Sequence, residues 1–432
     1  MKTREIVQKE ALEQLSLNGY NGTVCLSTGT GKSAVAIEAI KRGGFEKILI
    51  TSPRTNLKEN WKKELAKWKI KEIPNIKLVI KYDVLSIQTY QVKDMVGIGI
   101  ENIQTCYKWD EDVIKRFDLI IADEIHLIAS PEYGRLISIA RNHNIPVIGL
   151  TATPSLHDEF KDNFYKQYTP IVYEYYKSSK EGITNKIKYI VYHYRLSDDY
   201  KVIAGTKKKP FSIGEKTQYE FLSQQITKGQ ILMSQTGSTD WFKDAAEWAW
   251  NGQGTSSQRN AAMQYLNAIK YRKSFLWNLS SSAEITTELK NIILEDSNNK
   301  LLLFSELTSQ ADRLSAYSIH SKNDEEANKL LLYKFDTGII RELSSVNSLT
   351  LGLNIKGANY AIIESFNSSD TSITQKVGRL TRLDVNDTAT VIIIVPEFTQ
   401  AEEWFKKFSN KLDFSDALYI SSIQEFKNYF YE

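Results

Sequence analysis

The stretch Ser27-Thr-Gly-Thr-Gly-Lys-Ser33 follows an apolar run and precedes Ala34-Val-Ala-Ile-Glu-Ala-Ile40, which has helical character. Strand, glycine loop, lysine and helix in this order aim backbone N–H groups and a helix N-terminus at phosphate oxygens. Thr28, Gly29, Thr30 and Gly31 form the loop, and its glycines let the backbone approach closely. Lys32 can reach the terminal phosphates, and the Ser33 hydroxyl is placed for Mg²⁺. The strict GxxxxGK[ST] pattern fails at its first glycine, where Leu26 stands, but the core TGxGKS is intact. A glycine loop arising by chance is the bland alternative, and the flanking strand and helix argue against it.

Phosphate chemistry also needs a carboxylate for the metal and a base for water. Phe117-Asp-Leu-Ile-Ile-Ala-Asp-Glu-Ile-His126 offers both, as an apolar strand running into Asp123 and Glu124. Asp123 would hold the Mg²⁺ shell and Glu124 would polarise the attacking water. Paired acids also occur in ordinary surface turns; it is the company of the phosphate loop that makes this pair informative. The five histidines give neither a metal cluster nor a triad, and no serine or cysteine has a neighbouring base in a known nucleophile pattern.

The elements that must position these groups are legible over the first 170 residues or so. Short β-branched runs alternate with longer amphipathic stretches, as a parallel α/β sheet requires. Strands are expected at Thr23 to Ser27, Lys47 to Thr51, Leu78 to Ile80, Leu119 to Ala122 and Val147 to Leu150. An open sheet of this kind binds its ligands beyond the carboxyl ends of the strands. Leu57, Trp61, Leu65 and Trp68 recur at helical spacing with lysines opposite, which predicts a helix packed on the sheet. From 197 to 284 clear strands disappear, and AAEWAW and AAMQYLNAIKYRK predict a mainly helical insertion or linker. The α/β alternation resumes at 285, with strands expected at Leu301 to Phe304, Ile339 to Arg341, Ala361 to Ile363 and Thr390 to Val395. The division is therefore 1–196, 197–284 and 285–432.

Composition sets outer bounds. At 432 residues, 42% hydrophobic and 25% charged, the chain has ordinary globular usage and room for several compact units. No apolar run approaches the roughly 20 residues of a membrane helix, and Met1 leads into the polar KTREIVQKE. Two cysteines make no disulfide framework or zinc site, so a reducing, cytoplasmic setting and no membrane partner are expected. The net charge of +3 is too small to argue for nucleic acid by itself. Locally, eight lysines against three glutamates lie between Lys58 and Lys81, and Lys207, Lys208 and Lys209 form a second basic cluster. Trp241, Trp250 and Tyr271 are interleaved with Lys243, Lys270 and Arg272 in the middle region. Such a pattern can stack and grip a single strand, or can be a helical core with snorkelling cations.

Taken together these residues resemble the superfamily 2 helicases and translocases, with the DExH form of the second motif written Asp123-Glu124-Ile125-His126. Thr51-Ser-Pro-Arg-Thr-Asn-Leu57 resembles the family's motif Ia, and Ile103-Gln-Thr-Cys-Tyr107 a later motif on the same nucleic-acid track. Thr151-Ala-Thr-Pro154 resembles motif III, and Leu301 to Glu306 motif IV. Leu349-Thr-Leu-Gly-Leu-Asn-Ile355 is similar to motif V, and Gln375-Lys-Val-Gly-Arg-Leu-Thr-Arg382 to motif VI.

The resemblance implies an α/β fold of two RecA-like parallel-sheet domains with an inserted or linking helical region. It implies ATP and Mg²⁺ bound between the domains, with Lys32, Ser33, Asp123 and Glu124 from the first and Gln375, Arg379 and Arg382 from the second. Gln8 is expected near the adenine, although Arg4 and Gln8 stand one residue further apart than the family's Arg-x-x-Gln. Gly352 and Asn354 are expected on the nucleotide, with asparagine where many members carry aspartate. His126, Thr151 and Thr153 would couple the nucleotide state to movement. Thr51, Arg54, Thr105 and Thr350 would grip nucleic acid, with Lys207 to Lys209 as further phosphate contacts.

Within the family the chain resembles compact phage and bacterial DNA helicases of the UvsW or restriction-helicase kind, and a phage or bacterial host cytoplasm would suit it. The expected activity is an ATP-dependent DNA helicase or translocase, acting as a monomer on single-stranded, forked or branched DNA in replication, recombination or repair. An RNA helicase, the motor of a restriction or repair complex, and a nucleotide-gated binding protein without turnover are the rival readings.

Overall fold

The computed structural model describes residues 2–53, 56–67, 97–154, 158–176, 183–206, 209–346, 357–367, 376, 377, 380, 387–409, 414 and 416–432. The chain forms two compact units, one built chiefly on Met1–Ile187 and the other on Lys188–Asn347, Tyr360–Asp370 and Thr390–Glu432.

The first unit is a sheet of β1 (Gly22–Leu26), β2 (Lys47–Ser52), β3 (Gly97–Asn102), β4 (Leu119–Asp123), β5 (Val147–Thr151) and β6 (Ile171–Tyr175). Its spatial order is β3-β2-β4-β5-β1-β6, and all of its pairings are parallel. The inner strands are apolar on both faces because helices cover both sides of a parallel sheet. The helices are α1 (Arg4–Leu17), α2 (Lys32–Gly43), α3 (Asn56–Lys67), α4 (Gly134–Asn142) and α5 (Glu159–Tyr168). One face of the sheet buries Val7, Leu12, Val35, Ile37, Trp61 and Leu65 against Val24, Ile48 and Ile121. Each such Val, Leu or Ile contributes about 1.5–3 kcal/mol on burial. The carboxylate of Asp118 accepts from the backbone N–H groups of Glu46 and Lys47, at 2.8 and 3.0 Å, and so pins the start of β2. Parallel registers that match Cys25 with Thr151 and Leu150 with Asp123 bring the carboxyl ends of β1, β5 and β4 to one edge.

The second unit contains β7 (Lys186–Arg195), a hairpin of β8 (Lys201–Thr206) and β9 (Lys209–Gly214), and the helices α6 (Glu215–Gln235), α7 (Trp241–Trp250), α8 (Ser256–Trp277) and α9 (Ser280–Glu295). These are followed by β10 (Leu301–Ser305), α10 (Thr308–Leu314), β11 (Ser318–Ile319), α11 (Glu325–Asp336), β12 (Glu342–Val346), β13 (Tyr360–Ile363), β14 (Thr388–Glu397), α12 (Gln400–Ser409), β15 (Leu418–Ile420) and α13 (Ile423–Tyr431). The sheet order is β11-β12-β10-β13-β14-β7-β15. Strand β7, which precedes the helical region in sequence, is thus part of the second sheet.

The helices α6, α7 and α8 share a small core of their own, with Ile226, Met233, Ala245, Ala262 and Tyr265. Gly229 permits the close approach of α6 to α8, since a Cβ there would lie 2.8 Å from the Tyr265 Cα. Buried Glu215 fixes this layer to the rest of the unit. Its carboxylate accepts from the N–H groups of Ser280 and Ser281, at 2.5 and 3.3 Å, and from the Ser281 hydroxyl at 2.6 Å, so that it caps α9. Arg272 donates to Gln400 at 2.8 Å and the Trp277 indole to the Phe366 carbonyl at 2.8 Å.

Two expectations are corrected. The region from 197 to 284, read as mainly helical with no clear strands, opens with the β8–β9 hairpin before its helices begin. Ile203 and Phe211 are exposed on it, so no buried face imposes an alternating pattern on the sequence. The strand expected at Ile339 to Arg341 begins at Glu342 instead. Gly338, with φ +78°, ends the helical segment, and Ile339 stands 65% exposed in the turn, while in the strand the small Ser344 and Ser345 are buried between Leu343 and Val346. The strand expected at Leu78 to Ile80 lies outside the described residues.

Candidate nucleotide-binding site

The phosphate loop is suspended between β1 and α2. Ser27 is held by its N–H and its hydroxyl, which both donate to the Tyr175 carbonyl, at 3.1 and 3.3 Å. Gly29 and Gly31 have φ of +84° and +99°, a left-handed conformation that side chains other than glycine rarely adopt. Gly31 is also sterically enclosed, because a Cβ there would collide with the Gln8 side chain. Gln8 donates its amide to the Thr30 carbonyl at 2.9 Å, so α1 braces the loop. Gly31 occupies the N-cap of α2 and provides no side-chain cap, which leaves the first-turn N–H groups directed toward the loop. Lys32 Nζ donates to the Leu26 carbonyl at 3.1 Å, across the base of the loop. The Thr30 hydroxyl is buried, with no hydrogen-bond partner among the described residues.

Asp123 ends β4, and both of its oxygens are engaged. Oδ2 accepts from the Trp61 indole at 2.9 Å and Oδ1 from the Glu124 N–H at 3.0 Å. Burial, and then the adjacent Glu124 charge, push its carboxyl up to about 6, against the opposing pull of the Trp61 hydrogen bond and Lys32. A half-buried carboxylate whose charge is under-compensated suits a divalent cation. Asp123 and the Ser33 hydroxyl are the groups that could hold one, with the remaining ligands coming from phosphate and water, as Mg²⁺ prefers. Consistent with that, the described residues contain no cluster of three or more His, Cys, Asp or Glu that would make an all-protein metal cage.

Glu124 has φ 50° and ψ 47°, a left-handed conformation that is costly for a glutamate. The turn reorients its side chain relative to Asp123, which a continuing strand would not do. His126 is buried, with Nδ1 2.8 Å from the Thr151 hydroxyl and 3.4 Å from Glu124 Oε2. The Thr153 N–H donates to that same Thr151 hydroxyl at 3.0 Å. The fold therefore brings together Gln8, the loop from Thr28 to Ser33, Asp123, Glu124, His126, Thr151 and Thr153.

Residues expected on a nucleic-acid track are placed differently. Thr51 is fully buried, with its hydroxyl 3.8 Å from Cys106 Sγ. Thr105 is exposed on the single helical turn Ile103–Cys106. Gln104 donates to the Pro53 carbonyl at 2.8 Å and so joins these two segments. Lys209 is exposed at the start of β9. Arg54, Lys207, Lys208, Thr350, Gly352, Asn354, Gln375, Arg379 and Arg382 lie outside the described residues. Trp61 is the site residue that sequence reasoning missed. Its helical spacing marked it as a core residue, and nothing in that pattern distinguishes an indole that also reaches a carboxylate.

Two parallel sheets, one ending in a phosphate loop beside an Asp-Glu pair, define a nucleoside-triphosphate hydrolase with two RecA-like domains. Comparison with known proteins gives the family. Residues 2–156 match the type III restriction enzyme, res subunit family, and residues 284–384 match the helicase conserved C-terminal domain. Over 372 residues the chain is 25% identical to the DNA 3'-5' translocase XPB2 of Sulfurisphaera tokodaii, covering 85% of this chain and 76% of that protein. The fold is shared with S. cerevisiae Dbp5 bound to RNA and ADP BeF3, at a TM-score of 0.59 and 11% identity, over 98% of this chain and 92% of that one. It is shared also with the DUF1998 helicase MrfA bound to DNA, at a TM-score of 0.58 and 14% identity, over 96% of this chain and 49% of that one. The chain belongs to the superfamily 2 helicases and translocases, and is an ATP-hydrolysing enzyme of that family. No described helix is long and apolar enough to cross a membrane.

Proposed function

We propose that this enzyme uses ATP with Mg²⁺ to move along or remodel DNA, in replication, recombination or repair. The observation that carries DNA as the track is the 25% identity, over 372 residues, to a protein named as a DNA translocase. Lys32 and the N–H groups of the loop would bind the phosphates, with Gln8 near the base. Asp123 and Ser33 would hold Mg²⁺. Glu124 would orient and deprotonate the attacking water. Gln375, Arg379 and Arg382 would supply polar contacts and fixed cations for the γ-phosphate, which phosphoryl transfer requires, and Gly352 and Asn354 would complete the nucleotide contacts. His126, Thr151 and Thr153 form the hydrogen-bonded route by which the nucleotide state would leave the site.

Arg54, Thr105, Thr350 and Lys207 to Lys209 would contact the phosphate backbone, and buried Thr51 would support that track from beneath. Such contacts give affinity without sequence preference. The helical layer of the 197–284 region exposes Trp241, Phe242, Trp250 and Tyr271, which suits stacking against bases. A triplex-displacement assay tests the motor, with Lys32→Ala as the inactive control. Displacement that requires ATP and Lys32 supports the reading; ATP hydrolysis with no displacement on any DNA would overturn it. RNA remodelling is the second reading, favoured by the shared fold with the RNA-bound Dbp5.

A further inference from the structure

The Trp61–Asp123 hydrogen bond is not required by packing. Trp61 is 2% exposed among Ile, Leu and Val side chains, and a phenylalanine would satisfy that environment equally well. The indole N–H can only donate, and it donates at 2.9 Å to Asp123 Oδ2 while the Glu124 N–H occupies Oδ1. One fixed donor on each oxygen sets the plane of the carboxylate and leaves lone pairs on both for a cation. The indole comes from α3, which begins four residues after the carboxyl end of β2. Lys58, one turn earlier on α3, pairs with Glu101 near the end of β3, so the helix is tied to the strand ends on both sides.

We propose that Trp61 is a positioning residue for the metal-binding carboxylate, through which the state of α3 controls how tightly the site holds its divalent cation. The proposal rests on Asp123 being the metal carboxylate. In sequence α3 closely follows the end of β2 at Thr51 and Ser52, so nucleic acid bound near that strand end would be sensed at the metal through one hydrogen bond. Partners that orient a ligating carboxylate typically change metal affinity by about 10–100-fold.

The test is a Mn²⁺ titration followed by electron paramagnetic resonance, with a non-hydrolysable ATP analogue present, with and without a single-stranded oligonucleotide. It compares wild type, Trp61→Phe, Leu65→Ala and Asp123→Asn. Trp61→Phe should weaken Mn²⁺ binding by about tenfold. It should leave metal-free nucleotide affinity unchanged and should remove the oligonucleotide's effect on Mn²⁺ affinity. Leu65→Ala, which disturbs packing on the same helix without touching the hydrogen bond, should weaken Mn²⁺ binding much less. Equal losses in both variants, or unchanged Mn²⁺ affinity in Trp61→Phe while Asp123→Asn loses the metal, would overturn the proposal. Full Mn²⁺ binding by Asp123→Asn would instead overturn the assignment of Asp123 on which it rests.

Discussion

His126 Nδ1 lies 2.8 Å from the Thr151 hydroxyl, and both side chains are buried. The end of β4 and the turn after β5 are therefore a single hydrogen-bonded unit. A change at Glu124, 3.4 Å from the same imidazole nitrogen, has a direct path into the Thr151-Ala-Thr-Pro154 turn.

Thr151→Val removes the hydroxyl with little change of volume. It should leave basal ATP hydrolysis nearly intact and remove most of its stimulation by nucleic acid. A double-mutant cycle with His126→Ala should give a coupling energy of roughly 0.5–3 kcal/mol, the range for residues in one network. Additive effects would show that the two side chains act independently.

The left-handed backbone at Glu124 predicts a trade between stability and activity. Asparagine tolerates this conformation better than glutamate does. Glu124→Asn should melt at or above the wild-type temperature while turnover falls by about 10²–10⁴-fold, the usual contribution of a general base. Nucleotide binding, read by a fluorescent ATP analogue, should persist.

At Gly31 both backbone and space oppose a side chain. Gly31→Ala should cost about 1–2 kcal/mol from the left-handed conformation alone. The added Cβ must also displace Gln8 from the loop. Weaker nucleotide binding and an earlier melting transition are expected, whereas a wild-type affinity would mean that the loop repacks freely.

In the second unit, Glu364 is buried at the end of β13, where Arg313 and Gln310 donate to its two oxygens at 2.9 and 3.2 Å. Burial raises its carboxyl from 4.5 to about 7, against the pull of Arg313. Between those values the folded chain holds a proton that the unfolded chain has lost, so this group's contribution to stability falls as pH rises through the window. The loss above pH 7 is on the order of 3 kcal/mol. Glu364→Gln should therefore gain stability over wild type between pH 5 and pH 8 in denaturant melts. A constant difference across that range would contradict the assignment.

Contiguity decided what the sequence could show. The loop from Thr28 to Ser33 and the Asp123-Glu124 pair are local in sequence and sit at strand ends, so residue order alone located them. Gln8 against Thr30, and Trp61 against Asp123, are contacts made by folding between distant segments, and amphipathic spacing records only that such residues are inward-facing. Strand β12 was displaced in the reading because the small polar Ser344 and Ser345 interrupt its buried run between Leu343 and Val346, while the β-branched Ile339 lies in an exposed turn. The β8–β9 hairpin went unread because it is largely exposed, and β3 because Gly97 and Gly99 hold the positions alternating with Ile98 and Ile100. Glu215, which caps α9 from 65 residues away, had no local signal at all.

The central claim is a motor driven by ATP on a DNA track. Its most direct test is the steady-state ATPase rate of the purified protein alone and with single-stranded DNA, double-stranded DNA, a branched junction or RNA, with Lys32→Ala as control. Strong stimulation by at least one DNA form, absent in Lys32→Ala, is the predicted result. Stimulation by RNA alone, or hydrolysis indifferent to every nucleic acid, would contradict it.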